Sequence, residues 1–196
     1  MTKFSKFFCL LILCVLVAPI MELHAGVVSD ALKGKLTVYH EHQLQPFIDS
    51  KLGDVKLFAF YYSAHWCPPC QAFTPQLVQF YNRIKKQHPE FELVFFSDDH
   101  SIAEMTEYMH VMKMPWPAFE FHKKSLMKKY CGPGIPCLVV VDENGKVLAD
   151  SFENKKYVGP KKVMDSLGKL LAGNPSSRPP ETSADFDAFF KKKPAN

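Results

Sequence analysis

The chain has 196 residues, of which 47% are apolar and 22% charged, with a formal net charge of +4. Those proportions are close to the average for soluble globular domains. A charge this small, with no basic stripe interleaved by aromatics, gives no ground for nucleic-acid binding.

Taken in chain order, the first 25 residues stand apart from the rest. Lys3 and Lys6 precede an uninterrupted apolar run over 7–18, and Leu23-His24-Ala25 ends in a small residue. This is the layout of a secretory signal peptide cleaved after Ala25, so a periplasmic or secreted protein is expected. Leu23 is larger than cleavage sites favour, which leaves an uncleaved anchor as the alternative, although the run is short against the ~20 residues of a membrane span. A lipid-attachment signal through Leu11-Ile12-Leu13-Cys14 is disfavoured by the bulk of Leu13, so Cys9 and Cys14 read as apolar residues of the leader. The mature chain, residues 26–196, carries a net charge of +3 and is long enough for one domain with a full core.

Leu36–Tyr39 reads as a first short strand and Gln43–Ser50 as a helical turn or two before Gly53. Val55–Tyr62 is apolar on both faces apart from Lys56, as suits a central strand of a covered sheet. Phe73, Leu77, Phe80 or Tyr81, and Ile84 then recur at helical spacing, so Cys67–Lys86 reads as a long helix, with Pro75 expected to kink it. A buried strand over Phe91–Phe96 and a helix over Ile102–Met112 follow, joined by a right-handed crossover. Leu138–Val141 gives a third strand, and Asn144-Gly145 turns the chain into an antiparallel edge hairpin through Lys146–Ala149. Lys161–Leu171 is an amphipathic helix with Val163, Met164, Leu167, Leu170 and Leu171 toward the sheet. The domain is expected over 26–172. From 173 to 196 the composition turns to a Pro/Ser-rich linker and an acidic-aromatic patch, Asp185–Phe190, ending in lysines; this reads as a disordered tail, or a docking segment as the alternative.

The chemistry concentrates in Tyr62-Ser63-Ala64-His65-Trp66-Cys67-Pro68-Pro69-Cys70. Two cysteines two residues apart, after an apolar strand and before a helix, can pass between dithiol and disulfide. With Cys67 at the helix N-terminus, the exposed amides and the positive dipole end favour its thiolate, which makes Cys67 the attacking sulfur. Cys70 lies one turn on, within reach of a mixed disulfide, while Pro68 and Pro69 stiffen the turn. A permanently closed bridge and half of a zinc site completed by Cys131 and Cys137 are the alternatives. Zinc is disfavoured because the second pair has five intervening residues and the first sits at a strand-to-helix turn.

Trp66-Cys67-Pro68-Pro69-Cys70, Pro75, and Gly134-Ile135-Pro136 before an apolar strand resemble the thioredoxin-fold superfamily. Phe73-Thr74-Pro75 with Phe80-Tyr81, Ser97-Asp98-Asp99, Lys113-Met114-Pro115-Trp116 and Val141-Asp142-Glu143-Asn144-Gly145 are most similar to its tryparedoxin and nucleoredoxin branch. The resemblance covers roughly residues 36–170. It implies an α/β thioredoxin fold: a central, mostly parallel sheet with an antiparallel edge hairpin and helices on both faces. It further implies a cis Pro136 beside the reactive pair, an Ile135 backbone that pairs with an extended substrate segment, and Trp66 as a shield for the sulfur that also touches substrate.

The chain departs from the pattern twice. Cys137 stands where relatives carry threonine or another small residue, and three readings compete for it: a buried inert thiol, a bridge to Cys131, or a third redox sulfur. In an oxidising compartment the Cys131–Cys137 bridge is the expectation. Tyr61 occupies the place of the buried aspartate of thioredoxins proper, as in the tryparedoxin-like branch, so the proton acceptor for Cys70 is unassigned. His65, two residues before Cys67, would lower the thiol pKa if protonated, or be an exposed loop histidine.

Met105, Met109, Met112 and Met114 near His110 raise copper binding as an alternative, with His40 and His42 a weaker pair. Spacings of four and three residues put the first three on one helix face, which makes them core. The expectation is therefore a thiol–disulfide oxidoreductase, with a partner-binding module lacking turnover as the other alternative. It needs no metal or organic cofactor beyond the Cys67–Cys70 disulfide. The expected partners are protein disulfides or dithiols and, for a reductant outside the membrane, a membrane-embedded electron donor; the protein is expected to be a monomer. Kinship to tryparedoxin leans toward a reductant.

Overall fold

The computed structural model describes residues 26–130 and 132–173, so the expected leader, Cys131 and the tail from 174 onward lie outside the described residues. Among the described residues no helix is long and apolar enough to cross a membrane. The described chain begins with α1 (Val27–Leu32), β1 (Leu36–His40) and β2 (Gln43–Pro46). It continues through β3 (Leu57–Ser63), α2 (Pro68–Gln87), β4 (Phe91–Ser97), α3 (Ile102–Val111) and β5 (Ala118–Phe119), and through β6 (Cys137–Asp142) and β7 (Val147–Asp150). A small hairpin, β8 (Phe152–Glu153) and β9 (Lys156–Tyr157), precedes α4 (Pro160–Ala172).

Seven strands form one sheet in the order β2-β1-β5-β4-β3-β6-β7. The central three, β5, β4 and β3, run parallel, and antiparallel hairpins extend them on both sides. The α/β fold expected from the sequence is the one observed. β3 and β4 are buried at every position, which explains their unbroken apolar runs. On one face, Ala59, Tyr61, Leu93, Phe95, Leu138 and Val140 pack against α2, α3 and α4. The alternate residues Phe58, Phe60, Tyr62, Val94, Phe96 and Val139 face α1 and the irregular segments, meeting Val28, Leu32, Leu52 and Tyr130. Two-residue alternation thus feeds two apolar layers from the same strands.

The helical reading of Gln43–Ser50 is corrected: Gln43–Pro46 is β2, paired antiparallel with β1, and only Asp49–Leu52 winds into a 3-10 turn. Glu41 and His42 both take positive φ, 49° and 65°, the conformation of a two-residue hairpin turn that follows the twist of the flanking strands. The edge position tolerates Pro46, whose missing N–H breaks no ladder bond to a further strand. Neither α1, β5, the 3-10 segment Phe121–Tyr130 nor the β8–β9 hairpin was foreseen. Apart from the ten-residue 3-10 segment each is short, and tertiary packing decides them more than local pattern does.

Candidate active site

β3 ends at Ser63, in the middle of the sheet, and the chain then turns through Ala64-His65-Trp66 into α2. Cys67 is the N-cap of α2: its backbone is extended (φ −96°, ψ 107°) and its sulfur accepts a hydrogen bond from the Cys70 N–H at 3.3 Å. Pro68 and Pro69 fill the first two helical positions, where no N–H has an intrahelical partner to lose. Cys67 and Cys70 are joined as a disulfide with their Cα atoms 5.2 Å apart. Cys70 is completely buried and Cys67 is 4% exposed, so Cys67 is the more accessible of the two.

Facing the pair is the loop before β6. Because β6 runs antiparallel to β3, with Cys137 opposite Tyr62, the start of β6 lies beside the end of β3. The Ile135–Pro136 peptide bond is cis, and the Ile135 carbonyl oxygen is 4.0 Å from the Cys67 sulfur. Ile135 packs on the small cluster of Ala64, Cys67 and Cys70. An open groove of about 400 Å³ runs between Trp66-Cys67-Pro68 on one wall and Gly134-Ile135 on the other, with Asp98 at its rim.

Trp66 is half exposed; its ring stacks on His100 at 5.8 Å and its Nε1–H donates to the Asp98 carbonyl at 3.2 Å. The His65 ring lies flat on Tyr108 at 5.5 Å instead of joining the sulfur cluster. Its backbone is fixed from both directions: the N–H donates to Asp99 Oδ1 at 2.6 Å, and the carbonyl accepts from the Gln71 side-chain amide. The other Asp99 oxygen accepts from Ser97 Oγ at 2.7 Å. Burial pushes the Asp99 carboxyl above the usual range, with the nearby Glu104 charge adding to it, while the two hydrogen bonds and His65 oppose the shift.

One turn beyond Cys70 in α2, Thr74 organises a buried set of hydroxyls. Thr74 Oγ1 donates to the Cys70 carbonyl at 2.8 Å, so its lone pairs accept from Tyr61 at 2.8 Å and Tyr108 at 2.6 Å. Tyr108 in turn accepts from Ser63 Oγ at 3.0 Å. Burial raises the pKa of both tyrosines. The place of the thioredoxin aspartate is therefore held by neutral hydroxyls.

Cys137 is buried in the opposite layer with Phe60, Tyr62 and Val139, apart from the cluster that holds Cys67 and Cys70. The expected Cys131–Cys137 bridge lies outside the described residues because Cys131 does. Met105, Met109 and Met114 are buried in the core, with Met112 packed against it, and the His110 ring makes tilted contacts with Tyr39 and His42. His40 approaches Glu41 at the exposed β1–β2 turn. Among the described residues there is no group of three or more His, Cys, Asp or Glu placed to hold a metal.

Sequence reasoning assigned no role to Asp99, Tyr108 or Tyr157. Ser97-Asp98-Asp99, directly after a buried strand, was the available signal for Asp99. Tyr108 and Tyr157 carry none, since a helical or loop tyrosine looks the same whether or not it reaches the site.

A cysteine pair at a helix N-terminus, opposite a cis-proline loop in this sheet, defines a thioredoxin-fold protein. Residues 54–147 match the family model described as thioredoxin-like. The chain resembles probable nucleoredoxin 1 of Arabidopsis thaliana, with 43% identity over 96 residues, 47% of this chain and 16% of that protein. Among solved structures, tryparedoxin I of Crithidia fasciculata is 34% identical, covering 62% of this chain and 84% of that one at a TM-score of 0.50. Tryparedoxin I of Leishmania major is 29% identical, covering 75% and 97% at a TM-score of 0.54. The chain belongs to the thioredoxin-like family, in its tryparedoxin- and nucleoredoxin-like branch. It spans about a fifth of the length of the curated nucleoredoxins it matches.

Proposed function

We propose that this protein is an exported thiol–disulfide oxidoreductase that reduces disulfides of protein substrates through Cys67 and Cys70. The observation that carries the reading is the seat of Cys67: N-cap of α2, bonded by the Cys70 amide, and 4.0 Å from the backbone of the residue before the cis-proline. In the reduced protein that amide and the helix N-terminus stabilise a Cys67 thiolate. The thiolate attacks one sulfur of a substrate disulfide, forming a mixed disulfide and releasing the other substrate sulfur as thiolate. Cys70 then attacks the Cys67 sulfur. The Cys67–Cys70 bond forms, the second substrate sulfur leaves, and two electrons have passed to the substrate.

Tyr61 stands where thioredoxins carry an aspartate, and burial raises its pKa and that of Tyr108, so neither tyrosine serves as a base for the Cys70 proton. The released substrate thiolate is the base the reaction itself supplies. An extended substrate segment lies in the groove against the backbone of Gly134 and Ile135, ahead of the cis Pro136, with Trp66 lining the same groove beside Cys67. Export rests on the leader-like pattern of residues 1–25, and a reductase outside the membrane needs a membrane-embedded donor to return its two electrons. No metal or organic cofactor enters the exchange.

The test is the reduction potential of the Cys67–Cys70 pair in the chain beginning at Gly26, equilibrated against dithiothreitol or glutathione buffers. A value below about −220 mV is expected and supports a reductase, whereas one above about −150 mV marks a disulfide-forming oxidant. No reversible two-electron transition would overturn the oxidoreductase reading, and Cu(I) uptake lost in Cys67→Ser would then favour a metal-handling module.

A further inference from the structure

The β8–β9 hairpin grips the active-site loop at both of its ends. Tyr157, at the end of β9, donates its hydroxyl to the Pro136 carbonyl at 2.7 Å. Phe152, at the start of β8, lies directly over Gly132, so close that a Cβ there would overlap ring carbons. The two rings pack on each other at 5.1 Å, so the contacts form one unit. The base of the hairpin is itself anchored to β6. Ser151 Oγ donates to the Leu138 carbonyl at 3.0 Å and accepts the Leu138 N–H at 2.8 Å, while the Ser151 carbonyl accepts from Val158 at 2.8 Å. The turn that reverses the hairpin uses Asn154 and Lys155 at φ 49° and 65°, which suits a tight two-residue connection.

We propose that this hairpin is a brace for substrate recognition and that Tyr157 is a positioning residue, holding residues 132–136 in the one backbone orientation that pairs with an extended substrate. The proposal rests on the oxidoreductase reading above. A strand added to an exposed backbone gains its affinity from main-chain hydrogen bonds, and those form only if donors and acceptors are already aimed. The proline ring locks the Pro136 φ, so only its ψ can rotate between the cis bond and the Pro136 carbonyl, and holding that carbonyl restricts the tilt of the Ile135 peptide plane. Tyr157 is 46% exposed while making this bond, which places its ring on the surface beside the loop. The contacts of the brace fall on Pro136 and Gly132, on either side of the Ile135 carbonyl that faces Cys67, so the brace acts on substrates that have a peptide backbone.

The experiment compares reduced wild type and Tyr157→Phe, which removes only the hydroxyl, in single-turnover reactions with two oxidants. One is a linear peptide bearing a disulfide to a second peptide; the other is dithiobis-nitrobenzoate, which has no peptide backbone. The variant is expected to lose about three- to tenfold in the concentration-dependent rate with the peptide, the worth of one hydrogen bond. Its saturating rate, its rate with dithiobis-nitrobenzoate and its reduction potential are expected to be unchanged. Phe152→Leu, which keeps the hydroxyl but uncovers Gly132, is expected to give the same split. Equal slowing with both oxidants, a shifted potential, or no change with the peptide in either variant overturns the brace while leaving the oxidoreductase reading intact. If wild type reduces neither disulfide, or Cys67→Ser reduces both, the two fall together.

Discussion

Asp99 is a buried carboxylate whose two oxygens are both spoken for, one by the His65 amide and one by Ser97, and it thereby ties the loop before Cys67 to the end of β4. Its proton affinity is raised in the fold by burial, above the ordinary 3.8. A folded state that binds the proton more tightly loses stability relative to the unfolded chain as pH climbs through the window between the two pKa values. The advantage of wild type over Asp99→Asn is therefore expected to be larger at pH 4 than at pH 7, measured by urea unfolding of the oxidised proteins. A gap that widens with pH would contradict the direction. The contrast between Asp99 and Cys67 explains what was legible at this scale. A Cys-x-x-Cys spacing declares its chemistry in the sequence because both sulfurs sit on one helical turn. Asp99 earns its place only through His65, 34 residues away. The same holds for Thr74, legible as a motif residue but not as the hub of four hydroxyls.

Among the elements, α3 matters because its start supports the outer side of Trp66. Ser101 is its N-cap, accepting the Glu104 N–H at 3.1 Å, and Glu104 reaches back to accept the His100 N–H at 3.0 Å. This reciprocal pair fixes His100, whose ring stacks on Trp66. Ser101→Ala is expected to cost about 1 kcal/mol of stability, visible as a lower urea midpoint with an unchanged slope. A midpoint equal to wild type would mean that the backbone amides find water instead. Elements with strong periodicity, α2, α3 and α4, and with unbroken apolar runs, β3, β4 and β6, were readable because packing and local pattern agree in them. β2 was not: Gln43-Leu44-Gln45 is too short for either period to dominate, and pairing with β1 decided it. β5 contributes two residues to the sheet and has no local signature at all.

For the whole molecule, the redox state of one bond and the stability of the fold are linked. If the pair is more reducing than the same cysteines in the unfolded chain, the oxidised fold is the more stable one, by about 1.4 kcal/mol for each 30 mV of difference. A reductase is thus expected to unfold at a higher urea concentration when oxidised than after dithiothreitol treatment, and the reverse order would indicate an oxidant. The fold class was legible because its motifs are spread along the chain in a fixed order, while the face covered by α1 and the 3-10 segments was not. That layer is built from short pieces whose partners are distant in sequence, such as Val28 under Glu143.

The placement of β6 antiparallel to β3 also sets an order in time. Cys67 is synthesised 68 residues ahead of Ile135, so a growing chain acquires its reactive dithiol long before the wall that faces it. Until β6 zips onto β3, the thiols have reactivity without a groove to choose their partners. Selectivity is in this sense a later property of the nascent chain than reactivity, because its facing wall, the residue before the cis-proline, is made after the dithiol.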